Sequence, residues 1–230
     1  MSCQIKPPTS AKLLLAAMRN HASRVAVTVA GKSWTYAELD AMSDRLARFL
    51  ASKGVGPGDA VAVHLRNSLE YVISEFAILK LAAIRVPLNE LMGVPELGYC
   101  LDHSGAIILI SNADLPKASG MQRDLTAIIV GADSAASLSA GQIHRSDALA
   151  GPAEFEPIAA DPEDTAIIAY TGGTTGRPKG VRHTYGRMAW NLFSHISCLD
   201  IRAEEVMLLT TPLPHSSGYH MVAAFLQGAH

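Results

Sequence analysis

The sequence predicts an α/β fold with mostly parallel, doubly wound sheets flanked by helices. Amphipathic segments with helix start and stop signals alternate with short apolar runs through the first 130 residues, the order strand, crossover helix, strand. The runs at 106–110 and 125–130 are continuously apolar and rich in β-branched residues, as strands covered on both faces require. A further apolar run at 165–170 ends in a Gly/Thr-rich turn that an ordinary core strand would not tolerate.

Taken in order, the first apolar stretch covers 13–18 and is closed by Arg19. It is too short to span a membrane and has no small-residue cleavage site after it. Thr35-Tyr36-Ala37-Glu38 reads as a capping box, with Thr35 as N-cap and Glu38 reaching back. Leu39, Met42, Leu46, Phe49 and Leu50 then recur at helical spacing, and Gly54 is placed to stop the helix. A short strand follows over 60–65. Asn67-Ser68 supplies the next N-cap, before a helix over 69–81 with Val72, Phe76 and Leu79 on one stripe. Residues 84–88 read as a strand despite Pro87. Pro95 opens another helix, where its missing N–H costs nothing, and Ser104-Gly105 closes it. The stretch 131–162 is rich in Ala, Ser, Gly, Asp and Pro with little periodicity. It is expected to be a surface connection with one short element. It marks the expected boundary between a first subdomain, 1–160, and the start of a second, 161–230.

Composition narrows the partners. With 49% hydrophobic and 17% charged residues and a net charge of −2, the chain has neither a nucleic-acid footprint nor a polybasic membrane patch. A small-molecule partner fits better. Cys3, Cys100 and Cys198 are widely spaced and form no CxxC, which suits a reducing compartment and predicts a cytoplasmic protein without an integral membrane segment.

The chemistry concentrates in Tyr170-Thr171-Gly172-Gly173-Thr174-Thr175-Gly176-Arg177-Pro178-Lys179-Gly180. The glycines let the backbone take positive φ and approach a ligand closely. Successive N–H groups in such a turn form a concave nest for an anion. Thr171, Thr174 and Thr175 add hydroxyl donors, and Lys179 supplies a point charge suited to phosphate. Together these features describe a triphosphate grip. It is not the GxxxxGK[ST] P-loop, because Pro178 and Gly180 flank the lysine and prevent a helix from starting around it. Pro178 also pushes Arg177 toward an extended conformation, so the loop is expected to project and to close over bound phosphates.

The string YTGGTTGRPKGV resembles the signature of adenylate-forming, AMP-binding enzymes, whose usual form is [YF]TSG[ST]TGxPKG. Gly172 stands where serine is commonest, a variant similar to that of many acyl-CoA ligases. Trp34 to Leu39, GVGPGDAVAV at 54–63 and LKLAAIRVPLN at 79–89 are similar to further blocks of the family. Leu81 or Ala82 occupies a position usually held by glycine. Thr211 to Gly218, TPLPHSSG, matches the family's PLxHxxG segment. The likeness therefore runs from about residue 10 to the end in the correct order, and it implies the N-terminal portion of that family's large domain.

The resemblance implies ATP-dependent attack of a small carboxylic acid on the α-phosphorus, followed by transfer of the acyl group to coenzyme A. ATP, Mg2+ and coenzyme A are the implied cofactors. Thr171, Gly172, Gly173, Thr174, Thr175 and Gly176 would cradle the β- and γ-phosphates, and Lys179 would neutralise charge on departing pyrophosphate. His215 would shape the pocket where acyl group and thiol meet, without acting as a base. The family's acidic magnesium residue, ribose-binding aspartate and C-terminal catalytic lysine have no counterpart in these 230 residues. The chain alone is therefore expected to be inactive. Within enzymes the rival is an amino-acid or aryl-acid adenylation domain that loads a carrier protein. From another class comes a non-catalytic nucleotide-binding or interaction module.

Other chemistry-bearing residues read as structural. His183, His195, His215 and His220 lack consistent metal-ligand spacing, so no metal site is expected. Asp161, Glu163 and Asp164 read as a solvated acidic turn. Trp190 and Phe193, on the helix after the loop, are expected to be core. Arg182 and His183 lie too close to the loop to ignore, but the sequence assigns them no role.

Overall fold

The computed structural model describes residues 6–112, 125–129, 141–171 and 177–230. Helix α1, Ser10–Asn20, is capped by the Thr9 hydroxyl, which accepts from the Lys12 amide at 3.2 Å. The apolar stretch at 13–18 belongs to this helix, with Leu14, Ala17 and Met18 buried. Strands β1, Val25–Val29, and β2, Lys32–Thr35, form a separate antiparallel hairpin that sequence reasoning did not assign.

Helix α2, Tyr36–Ser52, begins at the predicted capping box. Thr35 Oγ1 accepts from the Glu38 amide at 3.2 Å, and Glu38 Oε2 accepts from the Thr35 amide at 2.7 Å. Leu39, Leu46 and Leu50 are buried, and Gly54, at φ +88°, turns the chain out of the helix. Strand β3, Ala60–His64, leads to helix α3, Leu69–Lys80, capped by Ser68. Strand β4, Ile84–Pro87, leads to helix α4, Val94–Ser104, with Pro95 in its first turn and Gly105 in the left-handed conformation after it. Strands β5, Ile108–Ser111, β6, Thr126–Ile129, and β7, Gln142–His144, follow, then the short helix α5, Arg145–Ala148.

Strand β8, Thr165–Thr171, and strand β9, Lys179–Thr184, complete a seven-stranded sheet of order β7-β6-β5-β3-β4-β8-β9. All neighbours are parallel except β8 and β9, which pair antiparallel. The sheet continues across residue 160: Ile167 of β8 pairs with Arg85 of β4. The segments on either side of the expected subdomain boundary thus share one sheet. The connection before β8 contributes an edge strand of three residues, too few for alternation to be read from sequence.

Side-chain alternation along the strands feeds two cores. Val61, Val63, Ile108, Ile110 and Ile167 point to a large core shared with α1, α2, α3 and two later helices, α6, Tyr185–Leu199, and α7, Gly218–Gln227. Ala60, Ala62, Val86, Leu88 and Leu109 point the other way, to a smaller core under Leu97, Cys100 and Leu101 of α4. Helices therefore cover both faces, as the doubly wound reading expects. α6 turns its Tyr185, Met188, Ala189 and Leu192 stripe inward. That orientation overturns the expectation for Trp190 and Phe193, which are 64% and 38% exposed on the other side of the helix.

Two charged clusters lie within this packing. Lys80 Nζ, on a side chain only 2% exposed, contacts Asp40 Oδ1 at 2.6 Å, Asp44 Oδ1 at 2.5 Å and Ser43 Oγ at 2.8 Å, tying α3 to α2. Arg85 pairs with Glu75 at 2.6 Å and donates to the Tyr71 hydroxyl at 3.0 Å. Among the described residues no helix is long and apolar enough to cross a membrane.

Candidate active site

The Gly/Thr turn joins β8 to β9, so its ends are fixed by an antiparallel ladder. Thr171, the last residue of β8, pairs with Lys179, the first of β9. The Thr171 hydroxyl makes a long contact, 3.5 Å, to the Lys179 carbonyl oxygen, and both residues are exposed at the mouth of the hairpin. Gly172, Gly173, Thr174, Thr175 and Gly176 lie outside the described residues. Glycine at 180 has a steric reason: a Cβ there would sit 2.9 Å from Ile168 Cγ2 and 3.4 Å from the Tyr170 ring. The lysine begins a strand, not a helix, consistent with the exclusion of a P-loop.

Tyr170 anchors the outgoing strand. Its hydroxyl donates to the Cys100 carbonyl at 3.2 Å and lies 2.8 Å from His103 Nδ1. Burial is the main cause that pushes the Tyr170 phenol up to about 12, with the Cys100 thiol adding to it. On the return strand, Arg182 donates through Nε to Thr165 Oγ1 at 3.0 Å. That clamp across the hairpin gives Arg182 a structural role. The acidic turn before β8 is local structure as well: Asp161 and Asp164 accept from the amides of Glu163 and Asp161 at 3.1 and 2.9 Å.

His215 sits in a tight turn of π-type, Leu213–Ser217, which leads directly into α7. At φ −106°, ψ −152° its backbone leaves the helical path. The exposed ring places Nε2 3.1 Å from Asn89 Nδ2. Asn89 lies just past the end of β4, the sheet neighbour of β8. Asn67, just past the end of β3, secures the start of the same turn: Nδ2 donates to the Thr211 carbonyl at 2.9 Å, and Oδ1 accepts from the Leu213 amide at 2.9 Å. Ser217 Oγ contacts Thr211 Oγ1 across the turn.

The sheet therefore collects Thr171, Lys179 and the His215 turn at its carboxyl edge, where open α/β sheets bind ligands. Sequence reasoning missed Asn89 and gave Asn67 to helix capping. Ser68 alone caps α3, and both asparagines instead hold the histidine turn. Their residue type, at the ends of strands, was the available signal; their partners lie 126 and 144 residues away. His64, at the end of β3, faces Ser111 Oγ at 3.3 Å, and burial lowers its pKa. Among the described residues no three or more His, Cys, Asp or Glu group together to hold a metal ion.

The described residues thus place the ends of the Gly/Thr segment and the histidine turn along the same edge of the sheet. Comparison with known proteins identifies the family. The chain is 36% identical over 210 residues to a feruloyl-CoA synthase of Amycolatopsis sp, covering 90% of this chain and 39% of that protein. It is 34% identical over 188 residues to the long-chain-fatty-acid–CoA ligase FadD13 of Mycobacterium tuberculosis, covering 79% of this chain and 35% of the relative. The chain thus spans well under half the length of these curated relatives. Its fold superimposes on the anthranilate CoA ligase AuaEII in complex with anthranoyl-AMP, with a TM-score of 0.89 at 23% identity, over 99% of this chain and 45% of that one. The model of the family described as AMP-binding enzyme matches residues 14–230, nearly the whole chain, and the protein belongs to that family.

Proposed function

We propose that this protein activates a carboxylic acid with ATP and passes the acyl group to coenzyme A. A carboxylate oxygen attacks the α-phosphorus, the bond to the bridging oxygen breaks, and pyrophosphate leaves an acyl adenylate. The coenzyme A thiol then adds to the acyl carbonyl carbon, AMP departs with its electron pair, and the thiol proton passes to solvent. The relatives named above are ligases of an aryl acid and of fatty acids, which supports a carboxylic acid as the substrate class.

One observation carries the reading: Thr171 and Lys179 face each other at the mouth of a glycine-rich hairpin, on the sheet edge that also holds the His215 turn. In this proposal the Thr171 hydroxyl and the amides of 172–176 hold the β- and γ-phosphates. The Lys179 ammonium offsets charge as pyrophosphate leaves. His215, steadied by Asn89, shapes the space where acyl group and thiol meet. The described residues offer no ready-made Mg2+ cluster, and no step is assigned to the metal. A buried free thiol at Cys100 and an exposed one at Cys198 suit a cytoplasmic setting.

Calorimetric titration of ATP and of inorganic tripolyphosphate into the chain tests the grip. Wild type should bind both, and Lys179→Ala should weaken both by about 10- to 100-fold, the worth of one charged hydrogen bond. Equal affinity in the two proteins would overturn the assignment, and indifference of wild type to both ligands would point to an interaction module. The 230-residue chain alone is expected to give no carboxylate-dependent ATP–pyrophosphate exchange.

A further inference from the structure

We propose that Asn89 sets the tautomer of His215, so that the neutral imidazole carries its proton on Nδ1. The consequence for acyl transfer rests on the reading of His215 given above; the tautomer itself does not. Asn89 is fixed by its own chain before it meets the histidine. Its side-chain Oδ1 accepts from the Leu91 amide at 3.0 Å, the tight turn that an asparagine closes onto the residue two places on. Its carbonyl accepts from the Met92 amide at 3.0 Å, and the Leu88 amide before it donates to the Val63 carbonyl at 2.9 Å. A backbone amide can only donate, so the atom facing Leu91 is the side-chain oxygen; the flipped side chain would set N–H against N–H. The amino end of Asn89 therefore faces His215, with Nδ2 3.1 Å from Nε2.

That amino group is a donor only, so Nε2 accepts. A neutral imidazole that accepts at one nitrogen carries its proton on the other. The backbone under the ring is held independently. The His215 amide donates to the Pro212 carbonyl at 3.1 Å, and Asn67 accepts from the Leu213 amide and donates to the Thr211 carbonyl, each at 2.9 Å. Asn67 and Asn89 lie just past the ends of β3 and β4, which pair in parallel, so ring and partner are both mounted on the sheet. With Nε2 occupied and Nδ1 protonated, the exposed ring offers one N–H donor and no base. Nδ1–H can donate to an oxygen of the carboxylate or of the acyl carbonyl, whereas neither nitrogen can take the proton of the coenzyme A thiol. Asn89 is thus a positioning residue, and it gives a physical reason why a histidine in an acyl-transfer site shapes the site without acting as a base.

Two-bond 1H–15N correlation spectra of the chain at mildly alkaline pH read the tautomer of each of its nine histidines. The peaks absent from His215→Gln identify His215. In wild type this ring should show a protonated Nδ1 and a bare Nε2, favoured about tenfold over the other tautomer, the worth of one hydrogen bond. Asn89→Asp, which exchanges only the amino group for an oxygen, puts a carboxylate against Nε2; the proton should move there and the two 15N shifts should exchange. Asn89→Ala removes the partner and should leave the two tautomers mixed. The other histidines should keep their shifts in both variants, and a loss of packing alone would not exchange the two nitrogens of one ring. A protonated Nε2 in wild type, or an unchanged His215 pattern in Asn89→Asp, would overturn the proposal. Failure of wild type to bind ATP or tripolyphosphate, with Nδ1–H intact, would instead remove the acyl-transfer reading and leave the Asn89 assignment standing.

Discussion

Replacing Lys80 by methionine should destabilise the protein strongly and enlarge the part of its stability that is lost as pH rises. The Lys80 ammonium has two carboxylates, a hydroxyl and the Asp40 carbonyl within 2.9 Å, on a side chain 2% exposed. Methionine fills similar volume but leaves Asp40 and Asp44 facing each other without a cation. Removing one partner of a buried ion pair costs about 3–5 kcal/mol, and the partial exposure of Asp40, 33%, argues for the low end. For a domain of this size a loss of about 3 kcal/mol lowers the melting temperature by roughly 6–12 °C. Burial already raises the Asp44 pKa in the folded protein, against the pull of Lys80, while neighbouring Asp40 raises it further. Without Lys80 the folded-state value rises again. A carboxyl whose folded pKa exceeds its unfolded value binds protons more tightly when folded, so its contribution is present at low pH and is lost as pH rises through the folded pKa. Lys80→Met should therefore gain stability as pH falls from neutral toward that raised value, and Asp44→Asn in the same background should remove most of the gain. Urea melts at a series of pH values measure both effects. A variant within 1 kcal/mol of wild type, or one whose deficit is constant with pH, would refute the electrostatic reasoning.

Three other substitutions test local devices. Gly218→Ala would put a Cβ against the carbonyl oxygen of Leu213, a backbone atom that cannot swing away. Opening the turn should cost about 1–3 kcal/mol and move His215 off Asn89, visible as a changed His215 ring signal by NMR together with a lower melting temperature. At the start of α2, hydrogen bonds from the Thr35 amide and hydroxyl hold the Glu38 carboxyl below the usual range. Its contribution is present above the unfolded pKa and lost as pH falls through the lowered folded value. Glu38→Gln should flatten the acid limb of stability at that pH, and an unchanged acid limb would count against the capping box. Thr35→Ala should cost about 1 kcal/mol at neutral pH, read from the urea midpoint.

Much of the fold was legible because its signals are local. The Thr35–Glu38 box, the Ser68 cap, Pro95 and Gly105 each act over one helical turn, and each marks an element end in the structure. Apolar runs at 60–65, 84–88 and 106–110 became strands because continuous β-branched stretches need cover on both faces. The three-residue β7 escaped because it is too short to show a period, whereas the β1–β2 hairpin, with strands of five and four residues, was long enough to read and was missed. Trp190 and Phe193 were misjudged for a related reason. Their helix is apolar on more than one stripe, and only packing against α1 and α7 selects which stripe turns inward.

By itself the sequence determined the alternation of elements, the Gly/Thr-rich segment between Thr171 and Lys179, and the family likeness, its His215 segment included. Tertiary structure alone decided the strand order that sets β8 beside β4, the pairing of Thr171 with Lys179 and the Asn89–His215 contact. The division has a physical cause. Caps, turns and periodicity are short-range interactions within one segment, whereas register, burial of Lys80 and the meeting of residues 126 positions apart arise only when the two cores close on the sheet.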